Sequence, residues 1–136
     1  GDSGFYSSVN YMFDKLASMN LPITTIAGVP AFIAAGAISG LHIVKQEEKL
    51  VVLPGIITAE ELDSLLTSGY VVVIMKLSQC TSEIHRFMQT NRQHEFHYYE
   101  NVGTINELHS TNYKDIIQKE YPYFSLMIIR PGKQLA

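Results

Sequence analysis

The segment from Tyr70 to Lys76 constrains the fold most, because it contains an uninterrupted run of large apolar residues, Val71-Val72-Val73-Ile74-Met75. β-Branched side chains fit a pleated sheet, and continuous rather than alternating hydrophobicity indicates a strand that is covered on both faces. The run therefore predicts a strand in the middle of a sheet with helices on both sides. In open α/β sheets ligands bind at the carboxyl ends of the strands. We expect part of any binding site beside Met75 and Lys76.

The rest of the chain alternates short apolar segments with helical patterns. Further strands are predicted at residues 23–26, 49–53, 95–100 and 123–129, and helices at residues 4–19, 32–38, 58–67, 82–91 and 113–120. Thr58 followed by Glu61 is a capping-box pattern, which marks the start of one of these helices. Alternation of this kind predicts an α/β layered domain with a largely parallel sheet.

Length, charge and cysteine content exclude several classes of protein. The 136 residues suit one domain with a core of its own. No apolar run reaches the roughly 18 residues that a membrane span needs, so no membrane partner is expected. The net charge of −3, without a cluster of Lys or Arg, disfavours a nucleic-acid partner. The single Cys80 excludes an internal disulfide and indicates a reducing compartment, the cytoplasm.

The residue types that carry catalytic chemistry form no recognisable constellation. No metal site is predicted, because the spacing of the histidines His85, His94, His97 and His109 is not that of metal ligands. Ser7, Ser8 and Cys80 lack the local sequence of an activated nucleophile. Tyr98, Tyr99, Tyr121 and Tyr123 could line an aromatic pocket, or could pack on the sheet and at an interface.

The first residues leave two interpretations open. Gly1 to Ser8 is a glycine-rich turn, and Phe5, Val9, Met12, Phe13, Leu16 and Met19 follow at the spacing of an amphipathic helix. Free N–H groups at the start of such a helix favour an anionic ligand. The same residues also fit an ordinary helix capped by small polar side chains.

Five motifs in a fixed order carry a family resemblance. They are Gly1-Asp2-Ser3-Gly4-Phe5-Tyr6-Ser7-Ser8, Ile26-Ala27-Gly28-Val29-Pro30-Ala31-Phe32, Leu50-Val51-Val52-Leu53-Pro54-Gly55, Val73-Ile74-Met75-Lys76 and Tyr123-Phe124-Ser125-Leu126. The ordered set resembles the C-terminal part of the tetrapyrrole (corrin/porphyrin) methylases over nearly all of the chain. Within that family it is most similar to the branch that methylates carbon 20 of precorrin-2 or cobalt-precorrin-2 in cobalamin biosynthesis.

The resemblance implies a fold, a cofactor and an activity. It implies methyl transfer from S-adenosylmethionine to a carbon of a tetrapyrrole, by a homodimer that binds the cofactor between two α/β domains. The domain represented here would be a three-layer αβα sandwich with a mixed sheet of about five strands. The positions that would contact the cofactor are Gly1, Asp2, Pro30, Ala31, Ile74, Met75 and Val102. No residue is assigned as catalytic.

Several departures from the family pattern accompany the resemblance. Ser3 replaces the Pro of the Gly-Asp-Pro turn, and Ala27 together with Pro30-Ala31 replaces the Pro and the two Ser of the second motif. The family's N-terminal glycine-rich loop is absent. We therefore expect residues 1–28 to be a helix and strand of an N-terminal domain, residues 29–136 to be the C-terminal domain, and the chain to be inactive alone. Another methylase of the superfamily, acting on diphthine or ribosomal RNA, and a non-enzymatic α/β interaction module remain alternatives.

Overall fold

A mixed five-stranded sheet forms the centre of the computed structural model, which describes residues 1–132. The strands are β1 Leu50–Leu53, β2 Val71–Ile74, β3 Glu95–Glu100, β4 Leu108–Ser110 and β5 Ser125–Arg130. Their order across the sheet is β1-β2-β5-β3-β4. Only β1 and β2 are parallel, and the other neighbouring pairs are antiparallel. The mixed sheet is confirmed, but the largely parallel sheet predicted from the alternation of elements is wrong, because β5 inserts antiparallel between β2 and β3.

Helices cover both faces of this sheet. They are α1 Val9–Ser18, α2 Ala31–Ser39, α3 Ala59–Thr67, α4 Thr81–Thr90 and α5 Tyr113–Gln118, with a 3₁₀ turn at Leu77–Cys80. Apolar residues of α3, α4 and α5 form one core with the sheet, and Phe32 and Ala35 of α2 form a second core on the opposite face. The predicted three-layer αβα arrangement is therefore confirmed.

Strand β2 has the burial that its sequence predicts. All four of its residues have 0% exposure. Val72 and Ile74 belong to the core under α3 and α4, whereas Val71 and Val73 belong to the core under α2. β2 is an internal strand, paired on both sides, although β5 occupies the middle position of the five.

Strand β1 is less buried than β2, although both are continuous apolar runs. Its residues Leu50–Leu53 are all partly exposed. β1 is the last strand at its end of the sheet, and among residues 1–132 no further strand pairs with its outer edge. A continuous apolar run does not show whether its strand pairs with a neighbour on both sides. A strand at the edge of the sheet is therefore less buried than such a run predicts.

The N-terminal segment differs most from expectation. The helix predicted at residues 4–19 begins only at Val9, because Tyr6 has a positive φ of 48°, which a right-handed helix cannot contain. Helix α1 contains no buried residue. Residues 23–26, predicted as a strand, are not paired with any strand in the described part of the chain.

Candidate functional site

A cavity of about 560 Å³ opens where β2 ends and β5 begins. Its lining comes from five separate segments, namely Gly1, Asp2, Phe5 and Tyr6, then Pro30 and Ala31, then Met75, Lys76, Ser78 and Gln79, then Asn101, Val102 and Thr104, and finally Tyr123 to Leu126. The volume lies in the range of sites for small molecules. The cavity lies beyond the carboxyl end of β2, beside Met75 and Lys76, where part of a binding site was expected.

The structure brings together most of the positions that the resemblance singled out. Gly1, Asp2, Pro30, Ala31, Met75 and Val102 all line this one cavity. Residues separated by as much as a hundred positions in the chain converge here because the loops after β2 and β3 and the loop before β5 meet at one edge of the sheet. This convergence is a property of the tertiary structure that no local sequence pattern contains.

Ile74 is the exception, because it is not among the residues that line the cavity. Ile74 has 0% exposure and packs in the core under α3 and α4. Met75, which follows it, packs against the other core and lines the cavity. Successive side chains of a strand point to opposite faces of the sheet, so only one of these two neighbours can face the site.

The ends of β1 and β2 form one wall of the cavity. The Met75 N–H donates a hydrogen bond of 2.8 Å to the carbonyl oxygen of Leu53. Lys76 then adopts the left-handed conformation, with φ 55° and ψ 46°, and its carbonyl oxygen packs directly on Gly55, where a Cβ atom would have no room. The Leu53-Pro54-Gly55 and Met75-Lys76 motifs are thus in direct contact and together form this wall.

Asp2 fixes the N-terminal turn against the loop that precedes α2. Its two carboxylate oxygens accept hydrogen bonds from the N–H groups of Gly28, at 2.7 Å, and Gly4, at 2.8 Å. These bonds, that from Gly28 first, lower the pKa of the Asp2 carboxyl below its usual value. Gly28 also lies so close to the carbonyl oxygen of Gly1 that a side chain there would collide with it. Asp2 therefore remains an anion that holds one wall of the cavity in place.

Aromatic side chains line the cavity, and among them only Tyr123 was expected from the sequence as a possible pocket residue. Phe5 packs on Phe32 of α2 with ring centroids 5.6 Å apart. Tyr6 lies below the Lys76 ammonium, and Tyr123 and Phe124 form an edge-to-face pair with centroids 4.9 Å apart. Of the four tyrosines considered from the sequence, only Tyr123 lines the cavity, because Tyr98, Tyr99 and Tyr121 are buried. A sequence signal that could have indicated these aromatic residues is the adjacent pair Tyr123-Phe124, which stands immediately before an apolar strand.

The other candidate groups lie away from the cavity. Burial raises the pKa of the Cys80 thiol to about 11, with a smaller contribution from Glu83, so the reactive thiolate is disfavoured. His94 is buried and accepts a hydrogen bond from the Gly132 N–H at 3.0 Å. Within residues 1–132, no group of three or more His, Cys, Asp or Glu side chains is placed to hold a metal ion. The same residues include no helix that is both long enough and apolar enough to cross a membrane.

The cavity suits binding and positioning better than acid–base catalysis. Its titratable side chains are Asp2, Tyr6, Lys76 and Tyr123, and no histidine or cysteine lines it. Apolar contacts come from Phe5, Pro30, Met75, Val102 and Leu126. A partly apolar slot of this size with a few polar groups can orient a ligand, and orientation alone supplies a large part of the rate of a bimolecular transfer.

Comparison with known sequences settles the family. The sequence profile of the tetrapyrrole (corrin/porphyrin) methylases matches residues 1–115. The chain belongs to this family. It is also 30% identical, over 132 residues, to a precorrin-2 C(20)-methyltransferase of Sinorhizobium sp. That match covers 97% of this chain and 53% of the relative, so the chain spans about half the length of the curated methylase.

Solved structures of methylases have the same fold. A cobalamin biosynthetic enzyme, cobalt precorrin-4 methyltransferase, superimposes with a TM-score of 0.73 at 15% identity, over 96% of this chain and 61% of that one. Uroporphyrin-III C-methyltransferase from Thermus thermophilus, solved with S-adenosylhomocysteine, gives a TM-score of 0.64 at 14% identity, over 96% of this chain and 62% of that one. At these identities the similarity establishes the mixed α/β fold of the methylase.

Proposed function

We propose that this chain is part of an S-adenosylmethionine-dependent methyltransferase that methylates carbon 20 of precorrin-2 or cobalt-precorrin-2 in cobalamin biosynthesis. The observation that carries the proposal is the convergence of Gly1, Asp2, Pro30, Ala31, Met75 and Val102 on one cavity. The 30% identity to a methylase named for precorrin-2 and carbon 20 supports this substrate and position over others within the family.

The lining of the cavity fits the cofactor. Met75, Val102 and Leu126 provide an apolar surface for a nucleoside, and the Asp2 carboxylate provides a negative charge in the cavity lining. When bound, S-adenosylmethionine supplies an activated methyl group on a sulfonium. The residues of this chain would bind and orient it, because attack by a nucleophilic carbon on such a methyl group requires alignment more than a side-chain base.

We further propose that the chain does not turn over alone and that it functions in the cytoplasm as a homodimer. The chain corresponds to about half of its curated relative, so a site closed by two domains would lack contacts here. Residues 1–28 would belong to the N-terminal domain and residues 29–136 to the C-terminal one. Helix α1 supports association, since it buries no residue and exposes Met12 by 63% and Tyr11 by 77%.

Calorimetric titration of this chain with S-adenosylhomocysteine tests the proposal. We expect weak binding, in the millimolar range, because each lost hydrogen bond costs about 1 kcal/mol net and each 1.4 kcal/mol is about tenfold in affinity. Competition by S-adenosylmethionine, but not by adenosine 5′-monophosphate, would support a dedicated site. Absence of binding at about 10 mM would instead favour a non-enzymatic interaction module. Methylation of precorrin-2 by this chain at the rate of a full-length methylase would contradict the proposed inactivity.

A further inference from the structure

The mouth of the cavity combines a lysine ammonium with exposed aromatic rings. Within the described residues Lys76 is the only Lys or Arg that lines the cavity. Tyr6, Tyr123 and Phe124 line it too, and they are exposed by 46%, 78% and 71%. Large aromatic side chains exposed side by side at a cavity indicate a contact surface for a ligand.

The charge of Lys76 is not neutralised by the protein. Lys76 takes part in none of the ion pairs found among residues 1–132. Asp2 is the only carboxylate in the cavity lining, and its oxygens accept hydrogen bonds from Gly4 and Gly28. The Lys76 ammonium instead lies 5.5 Å from the centroid of the Tyr6 ring, which is a cation–π distance. The exposed ammonium is therefore available to an anion.

The backbone on both sides of this contact is held in an uncommon conformation. Lys76 and Tyr6 both have positive φ, 55° and 48°, which costs energy for residues other than glycine. The surroundings fix both residues: the Lys76 carbonyl oxygen packs on Gly55, and the neighbouring Phe5 packs on Phe32. A strained lysine and a strained tyrosine that meet at a cavity indicate that their position matters to a ligand.

We propose that this mouth is the substrate side of the site, where Lys76 forms an ion pair with a carboxylate of the tetrapyrrole and Tyr123 and Phe124 contact its ring. Tetrapyrrole intermediates combine a flat, conjugated macrocycle with carboxylate side chains, and these are the two features that exposed aromatic rings and an ammonium recognise. The inference rests on the proposed function, because it assigns the cofactor to the apolar interior of the same cavity. It gives Lys76 and the Tyr123-Phe124 pair the role of positioning the substrate.

Uroporphyrin I, a fluorescent porphyrin octacarboxylate, is a suitable probe. Its binding to the purified 136-residue chain is measured by fluorescence at low ionic strength, for the wild type and for Lys76→Gln, Lys76→Arg and Phe124→Ala. Lys114→Gln is the matched control, since Lys114 is an exposed lysine of α5 outside the cavity lining. We expect Lys76→Gln to weaken binding about two- to fivefold, the range for one charge pair near the surface. Lys76→Arg should retain most of the affinity, and Lys114→Gln all of it.

Salt dependence separates the ion pair from a general structural effect. Wild-type binding should weaken as ionic strength rises, and the Lys76→Gln variant should show a smaller dependence, because screening acts on the charge that it lacks. Phe124→Ala should lower affinity without changing the salt dependence. Absence of uroporphyrin binding by the wild type, or equal losses in Lys76→Gln and Lys114→Gln, would overturn the inference.

Titration of each variant with S-adenosylhomocysteine distinguishes the two proposals. Lys76→Gln should bind this ligand like the wild type if Lys76 serves the substrate. If the variant binds both ligands like the wild type, the substrate assignment is wrong and the proposed function stands. If the wild type binds uroporphyrin through Lys76 but never binds S-adenosylhomocysteine, the tetrapyrrole site stands and the cofactor site is wrong.

Discussion

The carbonyl oxygen of Lys76 occupies the space in which a Cβ atom of Gly55 would lie. The two residues follow the paired strands β1 and β2, in which Leu53 is aligned with Ile74. The chain leaves both strands at the same edge of the sheet, and the absence of a side chain at Gly55 lets the turn after β2 pack against the turn after β1. This close packing fixes the backbone of Met75 and Lys76 at the cavity.

Replacing Gly55 by alanine should destabilise the protein by about 1–3 kcal/mol, the usual cost of forcing extra atoms into a packed site. Gly69→Ala is the control, because Gly69 has a φ of 89° but no atom near the Cβ position, so only conformational strain is added. Urea denaturation measures both variants. A Gly55→Ala variant as stable as the wild type would show that the turn after β2 is free to move.

Local patterns predicted the elements whose determinants are local. Thr58 caps α3 as its sequence indicates, since its side chain accepts a hydrogen bond of 3.2 Å from the Glu61 N–H. Gly40, which follows the helix predicted at residues 32–38, adopts the left-handed conformation as the C-cap of α2. Strand β3, Glu95–Glu100, was also predicted with the bounds that it has in the structure.

Features that depend on distant neighbours were not predictable in this way. β4, Leu108–Ser110, is only three residues long and exists because it pairs with the end of β3. The partial exposure of β1 depends on its place at the edge of the sheet. The cavity likewise required the loop around Val102 and the Tyr123-Phe124 segment to meet the end of β2.

Substituting Asp2 by alanine should release the N-terminal turn from the loop before α2. The amides of Gly4 and Gly28 would lose their acceptor, so their hydrogen exchange should become faster than in the wild type. Asp14→Ala, on the exposed surface of α1, is the control and should leave both amides unchanged. Unchanged protection of Gly28 in Asp2→Ala would mean that the turn is held by packing alone.

The free energy of unfolding should fall as the pH decreases below about 6.5, the ordinary histidine value. Burial lowers the pKa of both His94 and His97 in the folded chain, so the unfolded chain binds protons more tightly. Stability is therefore greatest above this pH and decreases as the two pKa values are approached. Protonation of His94 would also remove the acceptor of its hydrogen bond from Gly132.

Urea denaturation at pH 7.5 and pH 5.5 measures this dependence. His94→Gln should reduce the loss of unfolding free energy between pH 7.5 and pH 5.5. His42→Gln, at an exposed position, should leave this loss unchanged. If His94→Gln shows the full wild-type loss, another group governs the decline.

Amide exchange should be slowest in β2 and β5. Val71–Ile74 have 0% exposure and lie between β1 and β5, so opening them disrupts ladders on both sides. The amides of β1 that face the outer edge should exchange faster. Measurement by NMR after transfer to deuterated buffer gives the order, and rapid exchange throughout β2 would rule out its assignment as an internal strand.

Met75→Asp should weaken binding of S-adenosylhomocysteine at least about tenfold, because a buried or partly buried charge without a partner costs more than 1.4 kcal/mol. The Met75 side chain lines the cavity and packs against the core under α2, so the new carboxylate would enter the proposed adenosine slot. Met75→Leu conserves volume and should bind within a few-fold of the wild type. Cys80→Ser, which changes a buried thiol outside the cavity lining, should also bind normally.

Melting curves show whether Met75→Asp remains folded at the temperature of the titration. A folded Met75→Asp variant with wild-type affinity would place the cofactor elsewhere, because a carboxylate beside bound adenosine cannot be neutral in its effect.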